Sequence, residues 1–466
     1  MQKLFNEVIS LDQKCYKQFG LTEDILMEHA ANSMATFIDD IFDTPCSVLI
    51  VSGVGNNGAD GIALARLLHR KFNVTLYLPN ELKSPMAKLQ YKRAQLTNVN
   101  ISKDFKIVNS NFDIIVDAIF GTGLIRELDI ETKKIIQKLN ESSAYKLACD
   151  IPTGINNKGD VEQIAFKAHT TITMGALKKA LFNDIAKEYT GEIIVANLGV
   201  QRELYENNSN SFLLESSDLK LPLRNNKTTH KGNFGHLSVL IGQKTGAGLL
   251  CAEAGFAFGA GLVSVIDHQS LNPPYHIMEN HNLPDNTTAI ALGMGLGKYD
   301  SKEIREILDN DIPKVIDADL FYEKDILKVL DKDNVVLTPH PKEFCELLKL
   351  TRIADIKVNT LQKNRFKYVE AFNKKYPKIV LLLKGANTLI AQEDKLFVNP
   401  LGSNKLSFGG SGDVLAGLIG SLLAQGYSSL EAAIHGSLAH TIAAKNFNKN
   451  NYAMTPLDLI EEVKSI

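Results

Sequence analysis

The sequence has no tryptophan, five cysteines, and no uninterrupted apolar run approaching the roughly 18 residues that a membrane-spanning helix needs. The cysteines, Cys15, Cys46, Cys149, Cys251 and Cys345, are scattered and odd in number, so neither a disulfide framework nor a metal-binding spacing is expected. A reducing, cytoplasmic setting is the expectation that goes with them. Met1-Gln2-Lys3-Leu4-Phe5-Asn6-Glu7 carries no apolar leader core, so a secretory signal is not expected either. Charge of one sign is lacking too. With 51 basic and 53 acidic residues the formal net charge is −2, which provides no basic footprint for nucleic acid. Apolar residues, by contrast, make up 44% of the 466, ample for two or three α/β cores.

The stretch that carries most chemistry is Gly409-Gly410-Ser411-Gly412-Asp413-Val414-Leu415-Ala416-Gly417. Small residues followed by an apolar run over 414–423 predict a helix whose N-terminal amides face an anion. Missing side chains let phosphate oxygens approach the backbone. Asp413 falls in the first turn, where a carboxylate beside phosphate is useful only as a proton acceptor or a hydroxyl-orienting group. The bland alternative is a tight turn with Asp413 as an N-terminal helix residue.

In the first half, an apolar strand over 47–52 runs into Gly53-Val54-Gly55-Asn56-Asn57-Gly58-Ala59-Asp60-Gly61 and then a helix from 62. Strand, glycine loop and helix are the nucleotide-binding arrangement of an open, Rossmann-like parallel sheet. Further strands are expected at 74–78, 114–117, 146–149, 171–173 and 193–196. Asp117 and Asp150 close two of them, leading into Gly121-Thr122-Gly123-Leu124 and Ile151-Pro152-Thr153-Gly154, where open α/β sheets place their ligands. The polar run Glu206-Asn207-Asn208-Ser209-Asn210-Ser211 reads as a linker, dividing the chain into domains 1–208 and 209–466.

Taken together, these motifs of the first half resemble the epimerase domain of the bifunctional NAD(P)H-hydrate repair enzymes. The resemblance implies that Asn56, Asn57, Gly58, Ala59, Asp60, Gly121, Thr122, Gly123, Leu124, Ile125, Arg126, Glu127 and Asp150 contact the hydrated dinucleotide. It also implies a potassium ion on Asn57, Asp117 and Thr153, and Asp150 as acid–base group. Ala59 stands where that family usually has glycine, and a left-handed backbone there would be strained by the methyl group.

The second half restarts as strand alternating with helix, with strands expected at 237–241, 262–266, 314–317, 335–338 and 379–383 and an Ala-rich helix over 249–260. His230-Lys231-Gly232, Thr338-Pro339-His340-Pro341-Lys342-Glu343, Lys384-Gly385-Ala386-Asn387-Thr388 and the Gly410–Gly417 stretch jointly resemble the nucleotide-dependent NAD(P)H-hydrate dehydratases, which have a ribokinase-like fold. The fold class implied is thus α/β in two domains, a Rossmann-like sheet followed by a ribokinase-like sandwich. By the same resemblance Lys384, Gly385, Ala386, Asn387, Thr388 and Gly412 hold nucleotide. Ala247, Gly295, His340 and Asp413 contact the hydrate, and Asp413 is catalytic.

The two resemblances together imply a repair enzyme. One half interconverts the R and S epimers of NADHX and NADPHX. The other dehydrates the S epimer using ADP as co-substrate with Mg2+, yielding AMP and phosphate. Small molecules are then the partners, with no nucleic acid or membrane, and a homo-oligomer is expected. Two alternatives stay open at this point. One is a kinase that releases a phosphorylated vitamin or sugar, which would leave a stable phosphorylated product. The other is a first half that binds a dinucleotide without turning it over, which would leave the epimer ratio alone.

Overall fold

Runs of β-branched and aliphatic residues, apolar on both faces, build buried parallel strands. A computed structural model describes residues 1–42, 45–124, 127–267, 270–299 and 301–466. The chain divides into two compact units, Lys3–Ser209 and Met1–Gln2 with Asn210–Ile466.

The Lys3–Ser209 unit contains a seven-stranded, wholly parallel sheet. Its order is Asn100–Ser102, Asn73–Tyr77, Ser47–Ser52, Ile114–Ala118, Tyr145–Cys149, Thr170–Met174, Glu192–Ala196. The winding direction reverses between Ser47–Ser52 and Ile114–Ala118, the position at which a doubly wound sheet opens a ligand crevice. Alternation along the strands sorts the core into two layers. Val48, Ile50, Ile114 and Val116 pack with the helices Glu23–Ile41, Asn56–Leu68 and Pro85–Leu96. Leu49, Val51 and Ile115 pack on the other face with Ile135, Ile136 and Leu139 of helix Ile130–Glu141. A short parallel pair, Gln2–Phe5 with Leu177–Lys178, lies outside this sheet.

The second unit is built on ten strands. Six parallel neighbours, Met278–Asn280, Leu262–Ile266, His236–Leu240, Ala289–Leu292, Lys314–Ile316 and Val335–Leu337, lead to Val380–Leu383, also parallel. An antiparallel hairpin, Thr388–Gln392 and Lys395–Asn399, comes next, and Ser211–Leu213 runs parallel to its second strand. Leu237, Val239, Val263, Val315 and Val336 pack under helices Thr245–Ala257, Ser411–Ala424 and Ser429–Asn446. The intervening residues Ile290, Ile316, Leu337 and Leu381 are buried as well, so both faces of the sheet are covered.

Helix Ser411–Ala424 is buried continuously from Val414 to Ala424, as expected of a helix apolar all round. Gly417 allows its close contact with Thr245–Ala257, because a Cβ there would sit 2.2 Å from the Cys251 carbonyl oxygen.

Two sequence expectations shift, and one element goes unannounced. The hairpin after Val380–Leu383 has no sequence signal, since its turn is Glu393-Asp394, with Glu393 at φ 54° and no glycine to announce it. The linker reading extends one residue too far, since Ser211 already pairs with Leu396. The helix expected from residue 249 begins at Thr245, which puts Ala247 in its first turn rather than in a loop.

Candidate active sites

In the first unit, the glycine loop is fixed by close backbone approach. The Gly53 N–H donates to the Ala118 carbonyl at 2.9 Å. A Cβ on Gly53 would fall 2.0 Å from the Ile119 oxygen, and one on Gly58 2.0 Å from the Gly53 oxygen. Helix Asn56–Leu68 starts directly after Gly55, so Asn56, Asn57 and Gly58 form its first turn. Ala59 is a regular helical residue, fully buried, with its N–H on the Gly55 carbonyl. The strain expected of a methyl group there is therefore absent, because the backbone is right-handed.

Asp117 is fully buried at the end of Ile114–Ala118. Its Oδ1 accepts from the Thr153 hydroxyl at 2.7 Å and from the Ile119 N–H at 3.2 Å, and its Oδ2 from the Thr153 N–H at 2.7 Å. Burial pushes its carboxyl up to about 6 against those bonds. Both amide atoms of Asn57 are buried without a hydrogen-bond partner among the described residues. Asn57 Oδ1 and Asp150 Oδ2 converge on Gly121, at 3.1 and 2.9 Å from the point where its Cβ would lie. Asp150 itself has φ 70°, a left-handed backbone for a residue with a side chain, which stores strain of the kind found at functional sites. Asp60 is buried, and burial, followed by the charges of Asp150 and Asp12, pushes its carboxyl well up. Asn56 donates instead to Glu23, at 2.5 Å.

Not all expected contacts converge on this point. Leu124 and Glu127 wall a cavity of about 280 Å³ with Leu128, Gly154 and Asn156. Gly121, Thr122 and Gly123 form the turn leading to it, with the Leu124 N–H on the Gly121 carbonyl. Ile125 and Arg126 lie outside the described residues.

In the second unit, Gly410 takes φ 101° and caps helix Ser411–Ala424, placing Asp413 in its first turn. His440 donates from Nε2 to the Ser411 carbonyl at 2.9 Å, tying this turn to the next helix. Burial holds that imidazole neutral, down at about 4. Lys384, at the end of Val380–Leu383, ion-pairs with Asp317 Oδ1 at 2.7 Å. Both groups face the turn, since a Cβ on Gly412 would lie 3.4 Å from Lys384 Nζ and 3.5 Å from Asp317 Oδ2. The Asp413 carboxyl is pushed up to about 7 by burial and by Asp317, with Lys384 opposing.

His340 caps helix Pro341–Leu350 through Nδ1, which accepts from the Lys342 and Glu343 N–H groups at 3.1 and 3.3 Å. The proton therefore sits on Nε2, 3.1 Å from Glu343 Oε1. Burial, then Lys384, shift this ring's pKa downward, and burial pushes Glu343 up to about 7. The cap and the strand-end position thus coexist in one residue. Gly295, at φ 57°, packs on Ala247, whose Cβ would be 3.1 Å from a Cβ on the glycine. Gly385 and Ala386 are exposed, whereas Asn387 and Thr388 are buried.

Sequence reasoning misses four residues that build these sites. Asp317 reads as a strand end and Glu343 as part of a motif, yet both share the field of Lys384. Arg365, 1% exposed, donates to the carbonyls of Leu383, Lys384 and Asn387 and shapes the Lys384–Thr388 turn from beneath. Lys178, also 1% exposed, ion-pairs with Asp150 Oδ1 at 2.6 Å. No short-range signal marks a lone Lys or Arg as buried, because what buries it is distant in sequence.

Two α/β units, each bringing small-residue loops and perturbed carboxylates together at strand ends, make this a two-site enzyme. Residues 237–465 match the family NAD(P)H-hydrate dehydratase, and residues 23–180 match the family YjeF-related protein N-terminus. The chain is 45% identical to the bifunctional NAD(P)H-hydrate repair enzyme of Helicobacter pylori, covering 100% of both. It is 31% identical to the enzyme of that name from Dictyoglomus turgidum, over 98% of this chain and 96% of that one. Among solved structures, an ADP/ATP-dependent NAD(P)H-hydrate dehydratase from Bacillus subtilis is 25% identical, covering 53% of this chain and 92% of that one, with a TM-score of 0.44. The chain belongs to the family of bifunctional NAD(P)H-hydrate repair enzymes.

Proposed function

We propose that residues 1–208 interconvert the R and S epimers of hydrated NADH and NADPH, and that residues 209–466 dehydrate the S epimer with ADP, releasing AMP and phosphate. The observation that carries this reading is full-length identity of 45% with a bifunctional repair enzyme, joined to two separate strand-end clusters of carboxylates. That relationship favours repair over a kinase releasing a stable phosphorylated product, and over a first unit that only binds.

In the dehydratase reaction, Asp413 accepts the proton of the hydrate's C6 hydroxyl as its oxygen attacks the terminal phosphorus of ADP, a contribution of roughly 10²–10⁴ in rate. AMP leaves. The Gly412 turn, the helix N-terminus and the Lys384 ammonium stabilise charge on the moving phosphoryl group. The new C6 phosphate is a far better leaving group than hydroxide. It departs as the neighbouring carbon loses a proton and the reduced nicotinamide re-forms. Asp317, whose Oδ2 faces the Gly412 turn, and Asp413 would hold Mg2+, which would neutralise phosphate charge there.

In the epimerase reaction, Asp150 Oδ2 carries the proton that lets the C6 hydroxyl leave and return on either face. K+ on Asn57, Asp117 and Thr153 would supply a fixed positive charge. These are hard oxygen donors, and the unpartnered buried amide of Asn57 suits such an ion.

The test uses purified epimers and the full chain. Asp150→Asn should abolish R-to-S conversion while S-hydrate dehydration continues, and Asp413→Asn should do the reverse. Loss of both activities in either variant would contradict two separate sites.

A further inference from the structure

After strand Thr170–Met174 the chain turns through Gly175, at φ 70°, into the two-residue strand Leu177–Lys178. That strand is held in parallel register, with Phe5 opposite Lys178. The register sends the lysine inward, where its side chain is 1% exposed. Its ammonium donates to Asp150 Oδ1 at 2.6 Å, to the Thr173 hydroxyl at 2.8 Å and to the Met174 carbonyl at 3.1 Å. All three ammonium hydrogens are thereby used.

Asp150 Oδ1 also accepts from the Met174 N–H at 3.0 Å and the Thr173 hydroxyl at 3.3 Å. The two carboxylate oxygens therefore have different surroundings. Oδ1 is anchored in a buried web of donors. Oδ2 lies toward Gly121 and Asn57, where the loops of the strand ends meet. Among the described residues, the other groups on which Asp150 acts are acidic or neutral: Asp60, Asp12, Cys149 and Tyr205. Lys178 is the cation that opposes this charge at Asp60, Asp12 and Cys149.

We propose that Lys178 is a positioning residue for epimerisation: its buried ammonium clamps Asp150 Oδ1, so that Oδ2 of a left-handed aspartate is presented beside Gly121 to the C6 hydroxyl. This rests on the reading of the first unit as the epimerase with Asp150 as proton carrier.

The test is steady-state epimerisation by the full chain carrying Lys178→Met, which keeps an unbranched side chain one atom shorter and removes its charge. The expected result is a kcat at neutral pH at least about 10²-fold lower with KM changed less than about threefold. Dehydration of the S epimer by the same preparation should be unchanged.

If amide exchange shows that Lys178→Met unfolds strand Tyr145–Cys149, Thr173→Val carries the test, since it removes one shared donor without changing charge. It should lower kcat several-fold at unchanged KM. A Lys178→Met enzyme with near-normal kcat, or one losing activity through KM alone, would overturn the proposal. So would a Thr173→Val enzyme indistinguishable from wild type. Absence of epimerisation in the wild-type chain would instead sink the reading on which the proposal rests.

Discussion

At the scale of single residues, the site chemistry depends on a few buried charges. The Asp413 carboxyl is pushed up to about 7, so kcat/KM for dehydration should rise with pH through about 7 as the base ionises. Asp413→Asn should lower turnover by at least about 10² while ADP still binds, since the shape of the turn is kept. Stability is linked to the same titration. The folded protein holds a proton that the unfolded chain releases near 3.8, so this group's stabilising contribution is full below that pH and is lost as pH rises through 7. Melting curves should therefore show Asp413→Asn gaining on wild type between acidic and alkaline pH, and a constant difference would contradict it. Asp317→Asn removes a charge that raises Asp413, so at saturating Mg2+ the acid-side fall of dehydration should move to lower pH. Asp413 and Asp150 are legible in the sequence because glycine, proline and apolar runs frame them. Asp317, Lys178 and Arg365 are not, because their meaning comes from partners 67, 28 and about 20 residues away.

At the scale of elements, the strands are the most legible part. Both faces of a parallel sheet are buried, so 48–51 and 379–383 read as unbroken apolar runs, and 262–266 as one broken only by Ser264. Three-residue strands such as Asn100–Ser102, Met278–Asn280 and Ser211–Leu213 have no room for a period, and the sequence does not announce them. The glycine loop shows what pattern alone leaves open: whether a glycine serves φ or proximity. Gly58 is helical, so propensity alone would make Gly58→Ala stabilising by about 1 kcal/mol. Its Cβ would meet the Gly53 oxygen at 2.0 Å, so the expected sign is the opposite, a loss of about 1–3 kcal/mol with epimerisation impaired. Gly55→Ala, with open space around the new methyl group, is the control and should change stability little. Thermal unfolding of the two variants decides between the two roles.

At the scale of the whole molecule, the boundary between the two compact units falls at Ser209, and Asn210 already belongs with Asp394 and Leu396. A fragment beginning at Asn210 should fold and retain ADP-dependent dehydration. One cut after Leu213 should not, because it removes a strand paired with Lys395–Asn399. The N-terminal ammonium of Met1 pairs with Asp218 at 2.7 Å, both groups exposed or near the surface, so its loss from the fragment should cost little. Among the described residues no helix is long and apolar enough to cross a membrane. The central claim, that the second unit converts a hydrate into reduced nicotinamide by transient phosphorylation, has one direct test. The purified chain is given the S epimer of NADHX with ADP, and NADH, AMP and phosphate are quantified in the same sample. The account predicts that the three appear in equal amounts, with none formed when ADP is omitted. A phosphorylated dinucleotide that accumulates while NADH does not would contradict it.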